Sequence, residues 1–357
     1  MALKDIIGQE KAINILLGTL SQNRIPSSYL FAGESGIGKK FTAVNFAKTL
    51  NCLNSQPSDC CDECPSCKKI DSQTHPDFMM VTPEKSEIRV EEVRAIEEAL
   101  SFAPYEGKRK VVIVDEAEAM NASAANAFLK TLEEPPPQSI IILIASSPDR
   151  LPETIRSRCS RVNFSPLSPE KCEEVIKKAG KMGSGDSSFA VLRRMEVGKG
   201  KDNLKSSESA DSRTSELLST VSRLSMGRPG LAISNDLIEE RDWFIRLFKG
   251  MVHGENKETW GDKEEIEKWF NYAITVLRDT AVFKITGQEN MLINIDLKDS
   301  IAGMSKTIEL KDIIESYIKL TFLKGYLRFN LNKAITWNYT GFILRKFIGF
   351  VSPQASR

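Results

Sequence analysis

Gly33-Glu34-Ser35-Gly36-Ile37-Gly38-Lys39-Lys40 follows the phosphate-loop spacing G-x-x-x-x-G-K and then departs from it, because a second lysine stands where a hydroxyl residue is expected. In such a loop the glycines let backbone N–H groups wrap phosphate, the lysine reaches the β and γ oxygens, and the terminal hydroxyl ligates Mg²⁺. Lys40 offers three donors and no acceptor, so it has nothing to give a hard cation. The candidate nucleotide-binding residues are Gly33, Ser35, Gly36, Ile37, Gly38, Lys39 and Lys40. They describe a loop whose phosphate cradle is kept and whose metal site is damaged.

Periodicity around the loop gives the fold. The apolar run Ser28 to Ala32 stops at Gly33, and Phe41, Val44, Ala47 and Leu50 then recur at helical spacing over residues 39 to 50. Strand, loop and helix in that order put a helix N-terminus, with its partial positive charge, at the phosphate site. Val111 to Val114 and Ile140 to Ala145 are further unbroken apolar runs, as in strands covered on both faces. The predicted fold is a doubly wound α/β sheet with ligands at the C-terminal strand ends. Asp115 and Glu116 close one of these strands, where carboxylates hold Mg²⁺ through water or orient an attacking water. The helix from Ser123 to Glu134 is stopped by Pro135-Pro136-Pro137.

Five of the seven cysteines fall between Cys52 and Cys67. Cys52, Cys61, Cys64 and Cys67 supply two C-x-x-C steps and an upstream partner, a spacing that lets four thiolates converge on one tetrahedral ion. Zinc is favoured, with Cys60 spare; an iron–sulfur cluster or reduced thiols are the alternatives. With no open coordination position implied, the site reads as structural. His75, beside Pro76 and Asp77, reads as a loop residue before the strand Phe78 to Val81.

A chain of 357 residues is long enough for two or three domains, and 49 basic against 48 acidic side chains give no excess for neutralising many phosphates. Any contact with DNA is then a shared one. Residues 1 to 12 carry charges throughout, and no apolar run approaches the ~20 residues of a membrane span. A cytoplasmic protein without a membrane partner is expected.

The order Ile7-Gly8-Gln9, the loop, the cysteine excursion, His75-Pro76-Asp77, Val112 to Ala117, Asn126 to Pro136 and Ser157-Arg158-Cys159 resembles bacterial clamp-loader subunits of the AAA+ superfamily. The resemblance covers residues 1 to about 165 and implies an AAA+ domain with a zinc module near 52–67, a helical lid over 166–232 and an all-α collar over 233–357. Within that family, gamma/tau chains are ATP-hydrolysing motors, whereas delta prime chains are stators. Lys40 favours the stator. So does Gly230, which falls where a motor would place its sensor arginine in the segment Gly227 to Ala232, although Arg228 stands close by. So, more weakly, does the lack of a long tau-type extension after Arg357. The intact Gly33, Gly36, Gly38, Lys39, Asp115 and Glu116 keep ATP or ADP binding, and the motor alternative, open.

For a stator, the resemblance implies that Arg158 acts in trans, as an arginine finger on the ATP of a neighbouring motor subunit. The implied partners are gamma/tau motors and the delta subunit in a ring, the sliding clamp and primed DNA. An isolated zinc-dependent DNA-binding module is a third reading. Past residue 165, Ser168 is positioned to cap a helix near Glu170, residues 198 to 215 read as a polar mobile insertion, and Ile266, Trp269, Phe270, Ala273, Ile274 and Leu277 read as one helix face.

Overall fold

A computed structural model describes residues 2–54, 59–84, 86–182, 207–253, 260–329 and 331–350. The chain forms two compact units, one of residues 1–178 with 227–231, the other of residues 179–226 with 232–357.

In the first unit, α1 (Glu10–Ser21), β1 (Ser28–Ala32), α2 (Lys39–Asn51), α3 (Pro65–Asp71), β2 (Phe78–Val81), α4 (Val90–Ser101), β3 (Lys110–Val114), α5 (Ala122–Glu133), β4 (Ser139–Ala145), α6 (Glu153–Arg156), β5 (Ser160–Asn163) and α7 (Pro169–Met182) follow in order. The strands form one parallel sheet in the order β2-β3-β4-β1-β5. Because side chains alternate along a strand, Tyr29, Phe31, Ile113 and Ile142 meet α1 and α2 on one face. Leu30, Val112, Val114 and Leu143 meet α4 and α5 on the other. The unbroken apolar runs thus reflect burial on both sides, as the sequence predicts.

Some local expectations need correction. Phe41, placed on the buried face of the loop helix, is 46% exposed; Ala43, Phe46 and Ala47 take the core positions. Of the predicted face, Ala47 and Leu50 are buried and Val44 packs at the margin of the core, so only Phe41, in the first turn of α2, departs from it. In α5 the helical pattern of Ala127, Leu129 and Leu132 in the sequence predicts the buried face; Leu132 is buried, whereas Ala127 and Leu129 are only half buried and Ala124, Ala125 and Phe128 carry the packing. Asn121 caps that helix by accepting the Ala124 N–H at 2.8 Å. Ser168 accepts the Lys171 N–H at 3.4 Å at the start of α7, as expected.

The second unit is helical. Residues 198–206 of the expected insertion lie outside the described residues, while its remainder opens the helix Ser207–Leu224. Trp269 and Phe270, on the helix Lys263–Thr286, pack with Phe244, Trp260 and Trp337 in an aromatic core, with Ile274 at its margin. The fully buried Asp279 is satisfied by the backbone N–H groups of Ile293 and Asn294, the Asn294 amide and Arg278. Arg241, itself buried, pairs with Asp296 at 2.6 Å. No described helix is long and apolar enough to cross a membrane.

His75 connects the fold of the first unit to pH. Its Nδ1 accepts the Asp77 N–H at 3.0 Å, and its Nε2 faces Glu106 Oε1 at 3.5 Å. Burial holds its pKa below the ordinary value against the pull of Glu106 and Asp77. An unfolded histidine titrates near about 6.5, so below that pH the unfolded chain binds more protons than the folded one. The contribution of His75 is complete above that value and is lost as pH falls through the depressed folded one. The Tm is expected to decline from about pH 6.5 toward 5, and His75→Gln to flatten the decline. An equal slope in the variant would assign the effect to other groups.

Candidate functional site

The loop between β1 and α2 can be wound only with glycine at key points. Gly33 has φ +152°, and a Cβ there would lie 2.6 Å from the Phe164 carbonyl. Gly36, at φ +80°, packs against the backbone of Leu231, where a Cβ would meet its nitrogen at 3.1 Å. Gln9 ties the loop to the segment that follows the adjacent strand β5, its Nε2 donating to the Ile37 and Ser165 carbonyls and its Oε1 accepting the Ser165 N–H. Gln9 belongs to the quoted family pattern, but nothing in the sequence gave it this bridging task.

The two loop lysines have separate partners. Lys39 is 5% exposed, and its ammonium donates to the Gly33 and Glu34 carbonyls at 2.5 and 2.7 Å and to Ser146 Oγ at 3.2 Å. Desolvation lowers its pKa, opposed by Glu118, Asp115 and Glu34. Lys40 reaches across to β3, where its Nζ lies 3.2 Å from Asp115 Oδ2. The residue that removes a metal ligand thus supplies a cation to the carboxylate meant to help hold the metal. The donor set does not fit Mg²⁺, since the hydroxyl is missing and Asp115 already carries an ammonium partner.

Glu116 follows Asp115 in a left-handed conformation, φ 49°, and is exposed. Glu118 was not expected at the site: it accepts the Ser146 and Ser147 N–H groups at 2.8 and 3.0 Å and so joins the ends of β3 and β4. An acidic residue four positions past a strand end gives no sequence signal for this. Beside it, Glu87, Glu116, Glu118, Asn121 and Arg150 line an open cavity of about 600 Å³. Its carboxylates suit it poorly to phosphate.

Segment 228–231 lies on the loop. Gly230 N–H donates to the Gly36 carbonyl at 2.8 Å, and Arg228 is 3.7 Å from Glu34. The glycine at the expected arginine position thus makes a backbone contact with the loop, and Arg228 is turned toward a loop carboxylate.

Arg158 follows α6 and is exposed. Its guanidinium pairs with Glu133 Oε1 at 2.6 Å and donates to the Thr154 carbonyl at 2.7 Å. Both partners belong to the same unit, and its remaining donors are not taken by them.

The Sγ atoms of Cys52, Cys61, Cys64 and Cys67 all lie within 4.8 Å of one another. Four thiolates about 2.3 Å from one zinc ion sit roughly 3.8 Å apart in a tetrahedron. Cys52 is 3.5 Å from Cys61 and 4.0 Å from Cys64, close to that separation. A multi-iron cluster would spread its ligands wider, so a single zinc ion fits best. Backbone N–H groups of Cys61, Cys64 and Cys67 point at sulfurs of the set, a second layer that stabilises thiolate charge. The buried Lys48 pairs with Asp62 and Asp71, and Asp59 accepts the N–H groups of Leu3, Lys4 and Cys60. Zinc held here would fix the excursion against α2 and the chain start.

Residues 8–168 match a protein family described as DNA polymerase III, delta subunit. A Bacillus subtilis protein named DNA polymerase III subunit delta′ is 36% identical over 166 residues, covering 46% of this chain and 50% of the relative. Its counterpart of the same name from Pseudomonas aeruginosa is 40% identical over 159 residues, covering 44% and 48%. DNA polymerase III subunit tau of Bacillus subtilis is 38% identical over 167 residues, covering 47% and 30%. The chain spans about half the length of the two delta′ relatives and less of the tau one.

Elemental analysis of purified chain is expected to give about one zinc and no iron per molecule. Removing the ion with a chelator, or substituting Cys64→Ser, should lower the Tm of the first unit by about 2–4 °C for each kcal/mol lost, given its size. A coloured, iron-containing preparation, or a Tm indifferent to both treatments, would refute the structural-zinc reading.

Proposed function

With residues 8–168 matched to subunits of DNA polymerase III, we propose that this chain is a clamp-loader subunit of the delta prime type, a stator that hydrolyses little or no ATP and completes a neighbour's active site. The delta′ and tau relatives are equally alike in identity, so similarity alone does not divide the two roles. The observation that carries the stator reading is the contact of Lys40 with Asp115. A motor needs that carboxylate and a hydroxyl for Mg²⁺; here an ammonium has replaced the hydroxyl and pairs with the carboxylate.

Each residue then has a task. Lys39 and the loop glycines keep the form of a phosphate cradle, which leaves nucleotide binding compatible with this role. Arg158 presents a permanently charged planar fork suited to phosphate oxygens, and acts on the ATP of the adjoining motor subunit. The four cysteines brace the N-terminal unit through zinc. In the helical unit, Ile318, Phe322, Ile335 and Phe342 are 48–69% exposed, an apolar surface consistent with ring contacts to motor and delta subunits. The assembly would load the sliding clamp onto primed DNA in the cytoplasm, with the near-neutral chain sharing the DNA contact.

The isolated chain is expected to release phosphate from Mg-ATP at the rate of a protein-free blank, with or without primed DNA. Turnover at motor rates would favour the gamma/tau alternative. In an assembly reconstituted with motor subunits, Arg158→Ala should depress hydrolysis at the junction it serves by at least about tenfold, since arginine fingers contribute about 10³–10⁵ in GTPases. Clamp loading should fall with it while the Tm of the chain stays unchanged. Full activity of that assembly would exclude the trans role.

A further inference from the structure

The tip of α5 and the turn after α6 bring Glu133 and Arg158 together, although 25 residues separate them in the chain. Glu133 is the last residue of α5, fixed in place by the buried Phe128 and Leu132 and by the proline run that stops the helix. Its Oε1 is 2.6 Å from one terminal nitrogen of Arg158, and the other terminal nitrogen donates to the Thr154 carbonyl at 2.7 Å. A guanidinium has five donors in one plane. Glu133 and the Thr154 carbonyl, with a longer contact to Ser157 Oγ at 3.5 Å, fix that plane, and the donors not engaged by these three oxygens can meet an oxyanion.

We infer that Glu133 is the positioning residue for Arg158: its carboxylate, with the Thr154 carbonyl, holds the guanidinium in one orientation before a neighbouring subunit brings a phosphate to it. This rests on the trans role given to Arg158 above. The side chains of the pair are 34% and 49% exposed, so the contact is weak enough to yield to a phosphate and strong enough to bias a flexible side chain. What Glu133 supplies is orientation, since a long arginine side chain left free would spend most of its time in unproductive rotamers. The acidic pair preceding the prolines is visible in the sequence, but nothing there shows which carboxylate faces Arg158.

The test is a double-mutant cycle in the reconstituted assembly, with ATP turnover of the motor subunits as readout. Glu133→Ala should lower kcat about threefold, the size expected of losing an exposed ion pair, and leave the KM for ATP unchanged. Glu133→Asp should recover part of the loss, and Glu133→Ala should have no further effect when Arg158→Ala is already present. The Tm of each variant checks the fold. A Glu133→Ala assembly with unchanged or raised kcat would overturn the inference while leaving the finger intact, provided Arg158→Ala still depresses turnover. An equal loss in the Arg158→Ala background would assign Glu133 to something other than Arg158. If Arg158→Ala itself has no effect, the trans role and this inference fall together.

Discussion

One ion pair governs the chemistry of the first unit. Asp115 ends a strand with parallel neighbours on both sides, so its carboxylate is held at the edge where the phosphate loop begins its helix. A carboxylate in that position needs positive charge nearby, and phosphate-loop proteins normally meet the need with a hydrated metal. Here Lys40 meets it from the first turn of α2. With the Lys40 side chain about half exposed, such an attraction is about 1 kcal/mol or less. A second cation brought to the same carboxylate would have to displace or repel the first. The arrangement keeps the shape of a phosphate loop and alters its charge.

Much of this was legible because the signals were local or periodic. The apolar runs at 28–32, 111–114 and 140–145 predicted buried strands, since residues covered on both faces leave no polar alternation. The cysteine spacing predicted a four-thiol set because C-x-x-C steps bring successive sulfurs to one side of a turn, and those four sulfurs converge. Lys40 could be singled out by its chemistry, although the identity of its partner required the sheet order. Sequence reasoning failed where a contact depends on how distant elements pack. Glu118 on the amides at the end of β4, Gln9 on Ile37 and Ser165, and Glu133 on Arg158 each join segments with no shared pattern. Phe41 failed differently: its spacing suited the buried face, on which Ala47 and Leu50 do lie, but in the first turn of α2 it is left exposed.

The helical unit shows the same division. The aromatic series around Trp269 followed helical spacing and does form the core. The buried Asp279 and its ring of donors were not foreseeable, because a lone aspartate within a helix looks like a solvated one until the chain near residue 293 folds over it.

The carboxylate of Asp59 closes the chain start by taking the amides of Leu3 and Lys4 across more than fifty residues of intervening sequence. Bringing such distant points together costs loop entropy that nearby contacts do not. The hold on residues 3 and 4 through these amides therefore depends on the placing of the cysteine-bearing segment that carries Asp59.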